Sequence, residues 1–260
     1  MQDSNGALAI HWRVLLWSGG SLWIGQGGIG QAHAHHAIQI SVALSGRMRL
    51  RDGPKGTWRE YAGAIVLPHQ HHQFDSSEAS AANIFVEPET ILGRALLKRF
   101  DGQAIGDLSS ELVEREQAPL VAHLREAHAG AAADSVLIAA SRRLAECLSG
   151  ATPPALQVDP RITRVIEHLR ANLGNPISLT EAAAIAHLSP SRFRHLFIAQ
   201  TGASFRVYLL WARIEAAVGA AMTGRSWTEV AHELGFADSA HLSRTCKRMF
   251  GISPSMLIRN

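Results

Sequence analysis

Cysteine is nearly absent from this chain: only Cys147 and Cys246 occur, with no CxxC and no second cysteine near either. That argues against a disulfide framework and a zinc finger, and it fits a reducing compartment. Long apolar runs are missing too. No stretch of eighteen apolar residues occurs, and the opening segment MQDSNGALAIHWRVLLW lacks a basic segment followed by an uninterrupted apolar one. Neither a membrane span nor a secretory leader is therefore expected, and the expected setting is the cytoplasm. Net charge is slight, +3 overall, but it is unevenly placed. Residues 159–260 carry 12 Lys/Arg against 7 Asp/Glu, net +5, whereas residues 1–158 carry 13 against 15, net −2. A basic C-terminal part permits contact with nucleic acid, because phosphate contacts release counterions wherever the cations are clustered.

What the chain has in quantity is apolar content. Hydrophobic residues make up 47% of 260, enough to bury two cores, so two domains are expected. From about residue 8 to 88 short apolar runs (38–44, 47–51, 58–61 and 64–67) are broken by Gly, Pro and Asp, which reads as β-strands in a small barrel or sandwich. Asp52-Gly-Pro-Lys-Gly56 reads as a turn. After about Glu89 the pattern turns helical, at 91–100, 108–116, 119–129 and 135–148, with Pro119 suited to a first turn. These helices are free either to cover the barrel or to pair with a second subunit. Ser149-Gly-Ala-Thr-Pro-Pro-Ala interrupts helix and sheet alike. The expected division is an N-terminal domain over 1–150, a linker over 151–158 and an all-α domain over 159–260.

The strongest signal is an internal near-repeat. Ser178-Leu-Thr-Glu181 and Ser226-Trp-Thr-Glu229 are both S-x-x-E capping boxes, in which hydroxyl and carboxylate satisfy orphan helix-start N–H groups. Each precedes a short Ala-rich helix, a tight turn and a second helix of about eleven residues, which is helix-turn-helix spacing. Ala183 and Ala231 sit where the helices must approach closely, and Leu188 and Phe236 plug the turns. Both second helices stop at glycine, Gly202 and Gly251, which readily adopts the left-handed conformation. A nineteen-residue apolar-striped segment, 204–222, separates the units. A helix of that length spans roughly 28 Å, which suits two recognition helices in adjacent major grooves about 34 Å apart.

The same repeat has a plainer reading, a helical core with no ligand, and the outward faces argue against it. In the first unit Phe193, Leu196 and Phe197 form the inward stripe and leave Ser191, Arg192, Arg194 and His195 outside. In the second, Leu242, Cys246 and Phe250 pack inward and leave Ser239, His241, Ser243, Arg244, Lys247 and Arg248 outside. Arg can reach guanine O6 and N7 with two hydrogen bonds, and Ser or His can read a base edge or a phosphate.

Ser189-Pro-Ser-Arg-Phe-Arg-His-Leu-Phe197, Gly235-Phe-Ala-Asp-Ser-Ala-His-Leu-Ser-Arg-Thr-Cys-Lys-Arg-Met-Phe250 and Gly251-Ile-Ser-Pro-Ser255 together resemble the signature of AraC/XylS-family regulators, over residues 160–258. The resemblance implies base reading by Ser191, Arg194 and His195 in the first unit and by Ser239, Ala240, His241, Ser243 and Arg244 in the second. It also implies duplex-DNA promoter half-sites, a small-molecule effector, a homodimer, contact with RNA polymerase, and a cupin-like sensor in front. Two residues depart from the pattern. Ala240 offers at most a methyl contact to thymine, and His187 fills a turn position often held by Gly.

Nine of fourteen histidines precede residue 159, six of them in His33-Ala-His35-His36 and His69-Gln-His71-His72. The segment from His33 through His35, Gln39 and Gly46, then Gly63-Ala-Ile-Val-Leu-Pro68 and His71-His72, resembles the two motifs of the cupin barrel. In metal-binding cupins two His, a Glu and a later His hold one ion, because alternate residues of a strand face one cavity; here Gln39 stands at the Glu position. Three readings follow. His33, His35, Gln39, His71 and His72 line an effector pocket; or His33, His35 and His71 or His72 bind a divalent metal; or the chain is a metal-dependent cupin enzyme with a helical appendage. No catalytic residue is assigned. Gly25-x-Gly27-x-x-Gly30 matches a dinucleotide fingerprint by letters but is followed by the histidines and a strand, where the fingerprint requires a helix. Trp12, Trp17 and Trp23 read as core, with one available to floor the pocket. The expected whole is a two-domain α+β protein: an N-terminal cupin-like β-barrel with helices, then a C-terminal all-α tandem helix-turn-helix.

Overall fold

The computed structural model describes residues 11–113, 117–150, 158–175 and 177–254. Its N-terminal part is built on strands β1 (His11–Trp17), β2 (Gly20–Gln26), β3 (Ile38–Asp52), β4 (Arg59–Tyr61), β5 (Gly63–Val66), β6 (His72–Val86) and β7 (Ile105–Asp107). All pairings are antiparallel, in the order β1-β2-β6-β3-β5-β7, with β4 beside β3. The path has two ends, β1 and β7, so the expected barrel is an open sheet. The runs at 38–44 and 47–51 are one 15-residue strand, because register shifts between Ala43 and Ser45 and between Arg47 and Arg49 let β3 bend without ending. Gly46 makes the bend possible: its φ is +71°, and a Cβ there would lie 1.9 Å from the Glu78 carbonyl oxygen.

Alternation along β3 assigns the two faces of the sheet. Ile38, Ile40, Val42 and Leu44 point to one side, where they join Leu96, Phe100, Leu124, Leu137, Leu144 and Leu148 in one core. Those residues come from α1 (Ile91–Arg99) and its C-cap, α2 (Ala118–Ala129) and α3 (Asp134–Leu148). The helices after residue 90 thus cover the sheet of their own chain, and the buried stripe they were free to offer a second subunit is spent there. The expected helix over 108–116 is a single 3₁₀ turn, Glu111–Val113, preceded by β7, and its last residues lie outside those described. The expected linker falls largely at 151–157, also outside them.

Among the described residues the regular elements of the C-terminal part are helices: α4 (Pro160–Ala171), α5 (Leu179–Ile185), α6 (Pro190–Thr201), α7 (Phe205–Met222), α8 (Trp227–Glu233) and α9 (Ser239–Phe250). Helices α4 to α6 and the start of α7 bury Ile162, Val165, Phe193, Phe197 and Tyr208 in a core of their own. Among the described residues the second unit has no separate core. Trp211, Ile214, Phe236, Leu242, Cys246 and Phe250 share one cluster with Trp12, Trp23, Met48, Phe74 and Phe85 of the sheet. The second face of the sheet is therefore closed by α7 and α9.

Candidate nucleic-acid interface and the buried histidine cluster

The two helix-turn-helix units are built by the same local chemistry. Both capping boxes form, Ser178 with Glu181 and Ser226 with Glu229. Both first helices end with the same pair of bonds: the Leu188 N–H donates to the Ala183 carbonyl and the Phe236 N–H to the Ala231 carbonyl, each at 2.9 Å. The residue before each plug is left-handed, His187 at φ +53° and Gly235 at +71°. The first turn thus has the geometry of the second although a histidine occupies it. The alanines at the crossings, Ala183 and Ala231, are fully buried. Spacer helix α7 holds 18 residues, about 27 Å of axis.

On α6, Ser191, Arg192, Arg194 and His195 are exposed above buried Phe193 and Phe197. On α9, Ala240, Arg244, Lys247 and Arg248 are exposed, while Ser239, His241 and Ser243 are half-buried. His241 is oriented by its neighbours: its Nδ1 accepts from the Ala237 N–H at 3.4 Å, and its ring packs edge-on to Phe236 with centroids 5.4 Å apart. Asp238, which caps α9 by accepting from the His241 N–H at 2.5 Å, is the acidic residue at the start of that helix. No disulfide joins the two cysteines; Cys246 is buried in α9, and burial pushes its thiol up to about 12.

The histidines divide differently from expectation. His33, His35 and His72 are buried together on the face of the sheet that α7 and α9 cover, with ring nitrogens within 4.8 Å of one another. His71 does not join them. Strand alternation turns it outward, and it lines a groove of about 620 Å³ between the domains beside Arg206, Arg213, His241 and Arg248. His36 is buried elsewhere, 3.1 Å from Glu89. Gln39 completes the cluster: its Oε1 lies 2.9 Å from His35 Nε2 and 3.2 Å from His72 Nε2, and its amide nitrogen donates to Ser41 Oγ at 2.8 Å. Burial, then repulsion from His35, brings the His33 imidazole down to about 3. Burial brings His35 down to about 4, and burial with the two neighbouring histidines holds His72 well below its usual range. A cavity of about 40 Å³ adjoins the cluster, bounded by Trp12, Trp23, His33, Gln39, Phe85 and Phe250. Trp12 and Trp23 are the core tryptophans that floor it. No helix follows Gly25, Gly27 and Gly30, whose segment runs from β2 to the cluster.

The ties between the domains carried no local signal in the sequence. Arg170 on α4 pairs with Glu87, just past β6, and with Glu215 on α7 at 3.2 Å, and Arg94 on α1 donates to the Gln200 carbonyl at 2.9 Å. These partners lie up to 106 positions apart, so only the folded chain brings them together.

An antiparallel sheet with a helical cover and two stacked helix-turn-helix units defines a two-domain protein with a duplicated recognition element. Residues 182–260 match the family described as "Helix-turn-helix domain", so the chain carries an AraC-type helix-turn-helix domain at its C-terminus. Over 101 residues the chain is 36% identical to the uncharacterized HTH-type transcriptional regulator YidL of Escherichia coli K12, which covers 38% of this chain and 34% of that protein. Over 96 residues it is 32% identical to the HTH-type transcriptional regulator GbdR of Pseudomonas aeruginosa, covering 36% and 26%. The match thus spans about a third or less of these relatives. In fold it resembles ToxT from Vibrio cholerae O395, with a TM-score of 0.58 at 14% identity over 94% of this chain and 100% of that one. A ToxT structure bound to (E)-4-(8-methylnaphthalen-1-yl)but-3-enoic acid gives 0.56 at 12% identity, over 91% and 97%.

Proposed function

We propose that this protein is a sequence-specific, DNA-binding transcription regulator whose helices α6 and α9 enter successive major grooves on one face of the duplex, under the control of a ligand held by the N-terminal domain. The observation that carries the reading is the pair of identically capped, identically turned helix-turn-helix units presenting exposed Arg194 and His195 on one recognition helix and Arg244 on the other. An arginine there can bond two acceptors on guanine, while Arg192 and Lys247 suit the phosphates that flank a groove. Counterion release makes such binding fall steeply with salt. The enzyme alternative is disfavoured because the histidine cluster is buried beneath the helices of the second unit and the cavity that adjoins it, about 40 Å³, is far below substrate size.

Fluorescence anisotropy with promoter-length duplexes, at two salt concentrations and with excess random competitor, tests this. Binding that survives competitor at one operator and weakens with salt is the expected result. Equal affinity for all duplexes, or none, would overturn it.

A further inference from the structure

The same two loops that bring the histidines together also hold the ends of both recognition helices. Segment 28–36 carries His33 and His35; the loop 67–72 carries His72. They are sewn to each other by backbone bonds, His33 N–H to the His72 carbonyl and the reverse at 2.9 Å each, and His69 N–H to the His35 carbonyl at 2.8 Å. From the first segment the Gln31 N–H donates to the carbonyl of Gly251, the residue that ends α9, at 2.8 Å. From the second, His69 Nε2 donates to the carbonyl of Gly202, the residue that ends α6, at 3.1 Å.

The cluster itself has the donor set of a metal site. Nδ1 of His33, His35 and His72 lies 2.8, 2.8 and 2.9 Å from the carbonyl oxygens of Gln31, Ala37 and Gln70 respectively. A carbonyl only accepts, so each Nδ1 carries the hydrogen and each neutral ring is left with its lone pair on Nε2. Metal-binding histidines are commonly held in this way, by a carbonyl behind the ring. Two of these lone pairs then face Gln39 Oε1, which also donates nothing. Three imidazole nitrogens and an amide oxygen in a buried space favour an ion such as zinc, nickel, cobalt or iron in its divalent state. The adjoining 40 Å³ admits a water molecule but is far below the several hundred Å³ of a drug-sized organic ligand.

We infer that His33, His35, His72 and Gln39 form a divalent transition-metal site whose occupancy fixes the two loops, and through them the spacing of α6 and α9 on DNA. The inference rests on the reading of the protein as a DNA-binding regulator and names the ligand of its sensor domain. The coupling path is short: His33 is two residues from Gln31, its ring lies within 3 Å of where a Cβ on Gly251 would be, and His69 is three residues from His72.

The test uses untagged full-length chain stripped with chelator. Co(II) titration, followed in the visible spectrum and by elemental analysis after dialysis, is expected to give one bound ion per chain, displaced by Zn(II). His72→Ala abolishes the signal, and Gln39→Glu, which adds a charged oxygen to the set, tightens binding at least tenfold. No stoichiometric ion, or weaker binding by Gln39→Glu, would overturn the site; that is the result if the Gln39 amide is reversed and its NH2 bonds both rings. In the second arm, anisotropy with a two-half-site duplex is expected to shift at least fivefold between Zn(II)-loaded and stripped protein, with a single-half-site duplex unmoved. Metal binding with no such shift overturns the coupling. Specific DNA binding without metal binding sinks the site and leaves the regulator standing, whereas metal binding without specific DNA binding sinks the regulator.

Discussion

Phe250, the last residue of recognition helix α9, lies against Trp23 of the sheet with ring centroids 4.4 Å apart. It also meets Phe85 and Trp211 at 5.8 and 5.5 Å, so one side chain joins the second helix-turn-helix unit to the sheet domain. Removing a buried aromatic ring leaves a cavity and costs about 3–5 kcal/mol. Phe250→Ala is expected to lower the urea midpoint accordingly and to change Trp23 fluorescence. An unchanged midpoint would show that α9 does not depend on the sheet for its packing.

A shared core also predicts unequal behaviour of the two units when the sheet is cut away. In a fragment covering 159–260, amides of α6 are expected to keep the hydrogen-exchange protection they have in the full chain, because their core is separate. Amides of α8 and α9 are expected to lose at least tenfold in protection, because their apolar faces lose the cover of Trp23 and Phe85. Equal protection in fragment and full chain would contradict this.

Gly251 is held to glycine for two reasons. Its φ is +72°, and a Cβ would lie 2.4 Å from the Gln31 carbonyl oxygen and 2.7 Å from His33 Nδ1. Gly202 has φ +77° but nothing within 4 Å. Gly202→Ala is therefore expected to cost about 1 kcal/mol from backbone strain alone, and Gly251→Ala distinctly more, read by thermal denaturation. Similar losses at the two sites would mean the loop at Gln31 yields freely.

His187 occupies the left-handed turn of the first unit with a side chain, at φ +53°. Such a residue stores about 1 kcal/mol, partly offset by the greater unfolded-state freedom of glycine. His187→Gly is expected to leave stability unchanged or raise it by up to about 1 kcal/mol, and His187→Val to lower it, since a branched side chain fits that conformation worst. A clear loss of stability in His187→Gly would point to a contact of the ring that matters more than the strain.

On DNA, Arg244→Ala is expected to lose about 1–3 kcal/mol of discrimination between operator and random duplex, while Lys247→Ala weakens both about equally and flattens the salt dependence. Gel-shift titrations of the two variants separate these outcomes, and undiminished discrimination by Arg244→Ala would exclude it as a base reader.

Acid sensitivity follows from the histidines. In stripped protein His33 and His35 are held by burial at about 3 and 4. The unfolded chain therefore binds more protons below the ordinary histidine range near 6.5, and stability falls as pH drops from there toward 4. Above that range these groups contribute no slope. The melting temperature of stripped protein is expected to decline between pH 7 and 5, less steeply in His35→Gln. A flat profile would contradict neutral burial of the cluster.

Much of this protein was legible in the order of its residues because the relevant physics is local. Ser178 and Glu181 cap a helix three residues apart, Gly202 and Gly251 stop helices by their own backbone freedom, and Phe193 and Phe197 sit one turn apart on an inward stripe. Those features were enough to place both recognition helices and their outward arginines. His33, His35, Gln39 and His72 were legible as a group because strand alternation sends like-spaced residues one way. The same alternation sends His71 to the other side, but its phase at the edge of a strand is set only by pairing. The pairing of β2 with β6, the shared core of Trp23 and Phe250, and the grip of Gln31 and His69 on Gly251 and Gly202 depend on groups from 54 to 227 positions apart. Such contacts form when separate apolar faces bury one another, and that outcome belongs to the tertiary structure alone.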